Sequence, residues 1–459
     1  MIHLHCRGAR RSVRALATAT IWLTVACSPR DLVGSAPLPT DISDPSVTET
    51  PAGALAAYHG TLAQFREAFG GNDGSFVQTA GVLSDELQNG EIGGAFGGTG
   101  HGEEEDSRLL PEFTDSKAET MWYVATYSSL NKVRGQAQES LGLLRDYPPS
   151  ASLPLRGHLY ALQGYSEVQL AELFCSGIPL STLDYKGDYT LAEGSSTEDV
   201  YRHAVALFDT ALTLSADSAR ILNLARVGKA RALLELGEYS NAAAAVADVP
   251  DGYRYDVSYT AVDGAKANNF AWIQPGILWN LTVANREGGN GLDYRSSGDP
   301  RTATSDVGQN QNGATLFYPD KYSPDGSSSI VLADWVEAQL IEAEASLQGG
   351  DLEGWLAKLN RLRETAVSPA LSDTTDPGTP DSRVDLLFRE RAFWLFLTGH
   401  RQGDMRRLIR QYGRAAGQVY PVGAYPSGGK IYGSDVTTPI PAVERSLNSR
   451  FTGCAGRGA

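Results

Sequence analysis

The chain has 459 residues, of which 42% are hydrophobic and 20% charged, with 54 acidic against 39 basic side chains and a formal net charge of −15. That length could hold two or three domains, but the composition is uniform and no long low-complexity linker divides it, so one large body or two intimately packed units is expected. No basic stripe is present to neutralise phosphates, which argues against nucleic acid as a partner.

Residues 1–27 read as an export leader: Arg7, Arg10, Arg11 and Arg14 come first, an apolar run from Ala15 to Leu23 follows, and Thr24-Val25-Ala26-Cys27 closes it. The run is too short for a permanent span. A small residue before a cysteine resembles a bacterial lipobox, so Cys27 is expected to carry the lipid anchor. Cys6 is lost with the leader, which leaves Cys175 and Cys454. An exported compartment lets those two pair as a disulfide. Residues 28–47 are rich in Pro, Ser and Asp and suit a flexible tether. The body is expected over 48–459.

Its first helix starts at Asp44-Pro45 or Thr50-Pro51 and runs through Ala54, Leu55, Tyr58, Leu62 and Phe65. From Gly70 to Pro111 periodicity is poor and glycine abundant, so this stretch is expected as a functional loop. Its Gly-Gly-Ala-Phe-Gly-Gly run lacks the Lys-Ser/Thr of a phosphate loop, and Glu103-Glu104-Glu105-Asp106 lacks the alternation of a calcium loop. Met121 to Leu144 is helical in pattern, with Tyr123, Tyr127, Leu130 and Val133 on or near one stripe. Pro154 opens a further helix that leaves through Cys175-Ser-Gly-Ile-Pro-Leu. Ser195 with Glu198 forms a capping box before VYRHAVALFDTALTL. Ala230, Leu233, Gly237, Tyr239, Ala242 and Pro250 then fall close to tetratricopeptide spacing. With the preceding pair and the later LADWVEAQLIEAEASLQGG and DLEGWLAKLNRLRETA, roughly four helix hairpins are expected, over about 118–250 and 331–412.

Between these helices, Asp251 to Ile330 is irregular and rich in Gly, Asn and aromatics. With 70–111 it forms a loop-rich subdomain in the expected fold, which is mainly α. Phe76, Phe96 and Phe270, and above all Trp272, Trp279 and Tyr294, stand in polar segments beside Asn268, Asn269, Asn280 and Arg295. Flat rings with neighbouring amides suit a sugar, whose C–H face packs on a ring while its hydroxyls take hydrogen bonds. The same rings could instead cover the helical layer as satellite core.

The most specific residue order lies at VDLLFRERAFWLFLTGHRQGDMRR, residues 384–407. Leu387, Phe388, Ala392, Leu395 and Phe396 recur at helical spacing. Gly399 is expected to end that helix, with His400 and Arg401 reaching its free carbonyls, and Asp404 to cap a second helix that leaves at Gly413. Glu390, Arg391 and Arg401 are placed for a partly buried ion-pair network that pins helix to turn, a structural role. The order Glu390-Arg391-Ala-Phe393, Gly399-His400-Arg401, Asp404, Arg407 resembles the "ERAFE…GHRWFDLRR" block of SusD/RagB-like outer-membrane nutrient-binding lipoproteins, with Gln402-Gly403 where the family carries Trp-Phe. Similar likenesses occur at the DP…T…AL…Y opening around Asp44, at Asp299-Pro300-Arg301, at Ala343-Glu344-Ala345 with Leu359-Asn360-Arg361, and at Pro439-Ile440-Pro441 with Glu444 and Asn448.

The resemblance implies a surface-exposed, lipid-anchored outer-membrane protein that captures a glycan and delivers it to a SusC-like TonB-dependent transporter, without cofactor, metal or chemistry. Trp272, Trp279 and Tyr294 are the expected ligand contacts. No zinc helix, nucleophile elbow, Cys-x-x-Cys pair or triad order is present. A periplasmic helical-repeat scaffold and an exported glycosidase remain as alternatives, the latter because any acidic protein holds many carboxylates.

Overall fold

A computed structural model describes residues 45–71, 74–89, 122–260, 281–309, 314–425 and 431–459. The chain divides into Met1–Val47 and Thr48–Ala459, and everything below concerns the second unit. Helix α1 (Pro51–Arg66) begins where Thr50 caps it, the side-chain oxygen accepting from Gly53 N at 3.0 Å, with Pro51 at the position that has no amide to satisfy. A π-turn over Glu67–Gly71 follows. The expected loop from Gly70 onward is in part core: α2 (Phe76–Leu83) has every residue buried, and β1 (Leu87–Asn89) follows it. Eight consecutive residues without an exposed face carry no periodicity, which is why the sequence shows none.

Helices α3 (Trp122–Asp146), α4 (Ser152–Leu173), α5 (Thr197–Leu214), α6 (Ala219–Glu235), α7 (Tyr239–Val246), α8 (Trp335–Gln348) and α9 (Leu352–Thr365) each pack on the next in sequence. With α1 on α3, this makes four stacked helix pairs, the tetratricopeptide-like array expected. Close approach relies on glycine: a Cβ at Gly164 of α4 would come within 2.8 Å of the Phe208 ring of α5. Gly237, at φ +73°, makes the α6–α7 turn. The α5 cap falls one residue later than expected, since Ser196 rather than Ser195 accepts from Asp199 N at 3.0 Å.

Between α4 and α5 lie the short pairs of β2 (Ile178–Pro179) with β5 (Gly194–Ser195) and β3 (Thr182–Leu183) with β4 (Tyr189–Thr190). The irregular middle contributes β6 (Arg254–Val257), β7 (Leu281–Val283), β8 (Thr304–Gln309), β9 (Thr315–Pro319) and β10 (Ile330–Asp334), in antiparallel pairs β6–β10, β1–β7 and β8–β9. Three helices finish the chain's order: α10 (Pro380–Trp394), α11 (Arg401–Arg410) and the short α12 (Ala416–Val419), with α13 (Ala442–Leu447) in the tail. Among the described residues no helix is long and apolar enough to cross a membrane.

The 384–407 block departs from its expected local geometry. Helix α10 stops at Trp394, five residues before Gly399, and Leu397 and Gly399 both take positive φ, +51° and +81°, in the connecting turn. A Cβ at Gly399 would collide with the Phe76 ring, so the glycine is required by close packing as well as by φ. His400 and Arg401 do not cap α10. Instead Arg231 of α6 donates to Gly399 O at 2.9 Å, and Arg401 pairs with Asp85 at 2.6 Å. Asp404 does not cap α11, which already begins at Arg401; it takes Arg391 at 2.9 Å and Arg407 at 2.7 Å.

These pairs belong to one buried network. Arg407 also pairs with Glu344, and Tyr412 donates to the same carboxylate at 2.5 Å. Glu172 of α4 holds Arg231 through two hydrogen bonds of 2.7 and 2.6 Å. His400 lies 3.1 Å from Glu337 of α8. Next to Arg391 on α10, Glu390 takes Arg301 and Arg363 at 2.6 Å each, and Arg301 returns to Asp299 at 2.6 Å, so two of the sequence likenesses meet in one cluster. Residues scattered over more than 300 positions thus fasten the repeat array to the α10–α11 turn.

Cys175 and Cys454 are bonded, with Cα atoms 5.8 Å apart and 279 residues of separation. The bridge holds the tail beside Ser176, which pairs with Gly456. Reduction, or Cys454→Ser, is expected to lower stability by about 2–5 kcal/mol, since the bond closes a very long loop of the unfolded chain. Urea midpoints with and without reductant measure this, and coincident midpoints would refute it.

Candidate functional site

Strands β1 and β7 form one short antiparallel ladder. In β1–β7, Leu87 faces Val283, Gln88 faces Thr282 and Asn89 faces Leu281. Asn89 is the last described residue before 90–121, and Leu281 the first after 261–280. Two further segments border the same ladder. Tyr425 Oη accepts from Asn89 N at 2.8 Å and donates to Asn89 O at 3.1 Å, and its ring packs at 5.1 Å on Tyr432. Tyr432 in turn donates to Glu287 at 2.6 Å. From β9, Phe317 N donates to Thr282 Oγ1 at 2.8 Å, so the β8–β9 hairpin is fixed to the other side of β7.

The residues just before β1 join this ladder to the motif turn. Asp85 accepts from Arg401 at 2.6 and 3.1 Å, from Leu292 N at 2.8 Å and from Tyr294 Oη at 3.3 Å. Burial alone would raise its carboxyl; the charge and hydrogen bonds of Arg401, with the Leu292 amide, outweigh burial and hold it below the usual carboxylate range. Glu86 accepts from Leu397 N at 2.8 Å, and burial pushes its carboxyl up to about 8. Lys321 donates to Phe396 O at 2.5 Å, and burial draws its ammonium down to about 8. An ionised carboxylate beside a protonated one is what acid–base catalysis requires. Both side chains, however, are 0% exposed, and neither lines the cavities of about 930, 590, 310 and 370 Å³. This split is a property of the core.

Of the expected ligand contacts, Trp272 and Trp279 lie outside the described residues, as do Phe96, Phe270 and Cys27. Tyr294 is 1% exposed, with its ring stacked at 5.5 Å on Phe393 and 4.9 Å on Phe396. Both faces and the hydroxyl are taken up by protein, so Tyr294 is a core residue and not a platform for a ligand. Phe76 is likewise fully buried. Arg295, half-buried, lays its guanidinium 4.0 Å from the Phe317 ring. Sequence reasoning missed Tyr425 and Tyr432; the signal was available, since the two tyrosines flank Pro-Ser-Gly-Gly, a composition that signals a turn.

No protein-family model matches the chain, and no curated protein matches it in sequence. Solved structures do. A SusD-like carbohydrate-binding protein from Bacteroides vulgatus superposes with a TM-score of 0.63 at 14% identity, over 88% of this chain and 97% of that one. A laminarin-binding SusD-like protein gives 0.61 at 16% identity, over 89% and 99%. Surface glycan-binding protein A from Bacteroides thetaiotaomicron gives 0.62 at 12% identity, over 89% and 99%. The chain has the SusD-like fold.

Proposed function

We infer that this chain is a glycan-binding member of the SusD/RagB-like proteins, anchored by lipid at Cys27 to the outer membrane and delivering its ligand to a SusC-like TonB-dependent transporter, without catalysing any reaction. The observation that carries the reading is the fold, matched over nearly the whole length of proteins whose names state carbohydrate or laminarin binding. The ladder supports it further. In sequence Trp279 stands two residues before β7, whose partner strand β1 follows Asp85, the residue paired with Arg401. A lipid anchor and tether would keep such a body at high local concentration beside its transporter.

Ligand capture is assigned to Trp272 and Trp279. Trp272→Ala and Trp279→Ala are each expected to weaken binding of the best polysaccharide from a panel by about fivefold to thirtyfold, the loss of one stacking platform worth on the order of 1–2 kcal/mol. Calorimetry on variants whose circular dichroism matches the parent reads this; two variants that bind like the parent would move the site elsewhere. A panel scored for released product as well as binding separates this function from a glycosidase, which would turn ligand over. For the anchor, Cys27→Ala is expected to leave the detergent phase on partitioning. Retention there would refute lipidation at Cys27.

A further inference from the structure

A second place in the fold is built for a sugar. A cavity of about 370 Å³ opens where α10, α11, α12 and the segment after β7 meet, at the small end of the range of ligand cavities, about 300–1,000 Å³. Its floor is apolar: Leu292, Leu408 and Val419 line it, while Phe388 beside them is 2% exposed with Tyr412 and Arg407 on its ring and gives no open face. Its rim is polar and paired. Asp385 and Arg389 share a face of α10 with Phe388, at the spacing that sets side chains side by side on a helix. Arg414 reaches Asp385 at 2.9 Å, and Arg389 reaches Asp293 at 2.6 Å. Gln418 adds an amide at the rim.

This arrangement selects among ligand classes. Each rim guanidinium already has a carboxylate partner, so a ligand carboxylate would find no unmatched cation and would meet Asp385 and Asp293 as like charges. A neutral hydroxyl both donates and accepts, and can bridge an Arg–Asp pair from either side. An apolar floor below such a rim fits a pyranose, with C–H groups inward and hydroxyls at the perimeter. Two larger depressions differ: a groove of about 930 Å³ between α7 and α8 is lined by alanines with Glu238, Tyr239, Glu342, Asp351 and Lys358 and has no arginine, and one of about 590 Å³ has the single arginine Arg410.

We propose that this cavity is a second subsite, taking one neutral hexose unit; the proposal rests on the glycan reading above. Arg401 at its base is held by Asp85, the residue from which the chain runs into β1, so subsite and ladder share one support.

Saturation-transfer NMR on the full chain tests it, with methyl α-D-glucoside, methyl α-D-galactoside, methyl α-D-mannoside and D-glucuronate as probes. At least one neutral glycoside is expected to receive transfer. Its signal should survive Trp279→Ala and fall tenfold or more in Arg414→Ala and in Gln418→Trp, which fills the cavity from an exposed position without removing a charge. Transfer to glucuronate alone, transfer unaffected by a folded Gln418→Trp variant, or no transfer to any neutral glycoside would each overturn the subsite. If polysaccharide binding to the parent persists in that last case, the loop reading stands while the subsite falls.

Discussion

Asp404→Ala is expected to cost at least about 3–5 kcal/mol of folding stability, the range for removing one partner of a buried ion pair. Asp404 is 3% exposed and is the acceptor for two guanidiniums, Arg391 through contacts of 2.9 and 3.1 Å and Arg407 through one of 2.7 Å. Both arginines are themselves buried, at 3% and 1% exposure, and cannot turn to water when the carboxylate is lost. Arg407 keeps Glu344, but Arg391 retains only a distant contact to that same carboxylate, 3.8 Å away. The loss would be from about a fifth to the whole of the total for a typical domain, about 5–15 kcal/mol. Asp404→Asn should lose nearly as much, because it keeps the shape and removes the charge. Urea midpoints by circular dichroism at pH 7 measure both. A loss below about 1 kcal/mol in Asp404→Ala would show that the network contributes specificity rather than stability.

The same network explains what was legible in the sequence. Glu390, Arg391, Arg401, Asp404 and Arg407 stood out because their order resembles the SusD/RagB-like block, and they form the fastening expected of Glu390, Arg391 and Arg401. Their partners were not legible. Asp85 lies 316 residues from Arg401 and Glu344 lies 63 from Arg407, in segments where one more acid is unremarkable, and only the fold brings them near. Local capping rules misassigned Gly399 and Asp404 for the same reason: both are claimed by tertiary partners, Phe76 and two arginines, that outbid the helix ends. The helix pairs were read well where a helix buries one stripe, as α5 does with Val200, Ala204, Leu207, Phe208 and Ala211. Tyr294 was misread because it sits in an irregular polar segment, and the stacking of Phe393 and Phe396 on it leaves no periodic trace in its own neighbourhood.

The stability contributions of His158 and Glu86 should oppose each other between pH 4.5 and 6.5, because the two buried groups titrate in opposite senses. His158 is 2% exposed between Tyr58 and Tyr255, with ring nitrogens at 2.8 and 2.7 Å from their hydroxyls. Burial, and then the charge of Arg220, draw its pKa from 6.5 to about 3. The unfolded chain therefore binds this proton near pH 6.5 while the fold refuses it, so its contribution is complete above pH 6.5 and is lost as pH falls toward 3, at about 1.4 kcal/mol per pH unit. Glu86 runs the other way. Burial raises it from 4.5 to about 8 against the opposing Leu397 amide, with Asp85 raising it and Arg401 and Lys321 lowering it. Folded Glu86 keeps a proton that the unfolded chain releases near pH 4.5, so its contribution is complete below pH 4.5 and is lost as pH rises toward 8. Between the two ordinary values the slopes cancel. Below them, Asp85 and Glu167, both held low by buried arginines despite burial, add to the acid loss. Glu86→Gln keeps an acceptor for Leu397 N and cannot ionise, so its stability relative to the parent should improve by about 4 kcal/mol between pH 4.5 and pH 8. Urea midpoints of parent, Glu86→Gln and His158→Gln at pH 4.5, 6.5 and 8 test the scheme. Parallel profiles for parent and Glu86→Gln across that range would show that Glu86 is ionised in the fold, with Lys321 rather than a proton as its partner.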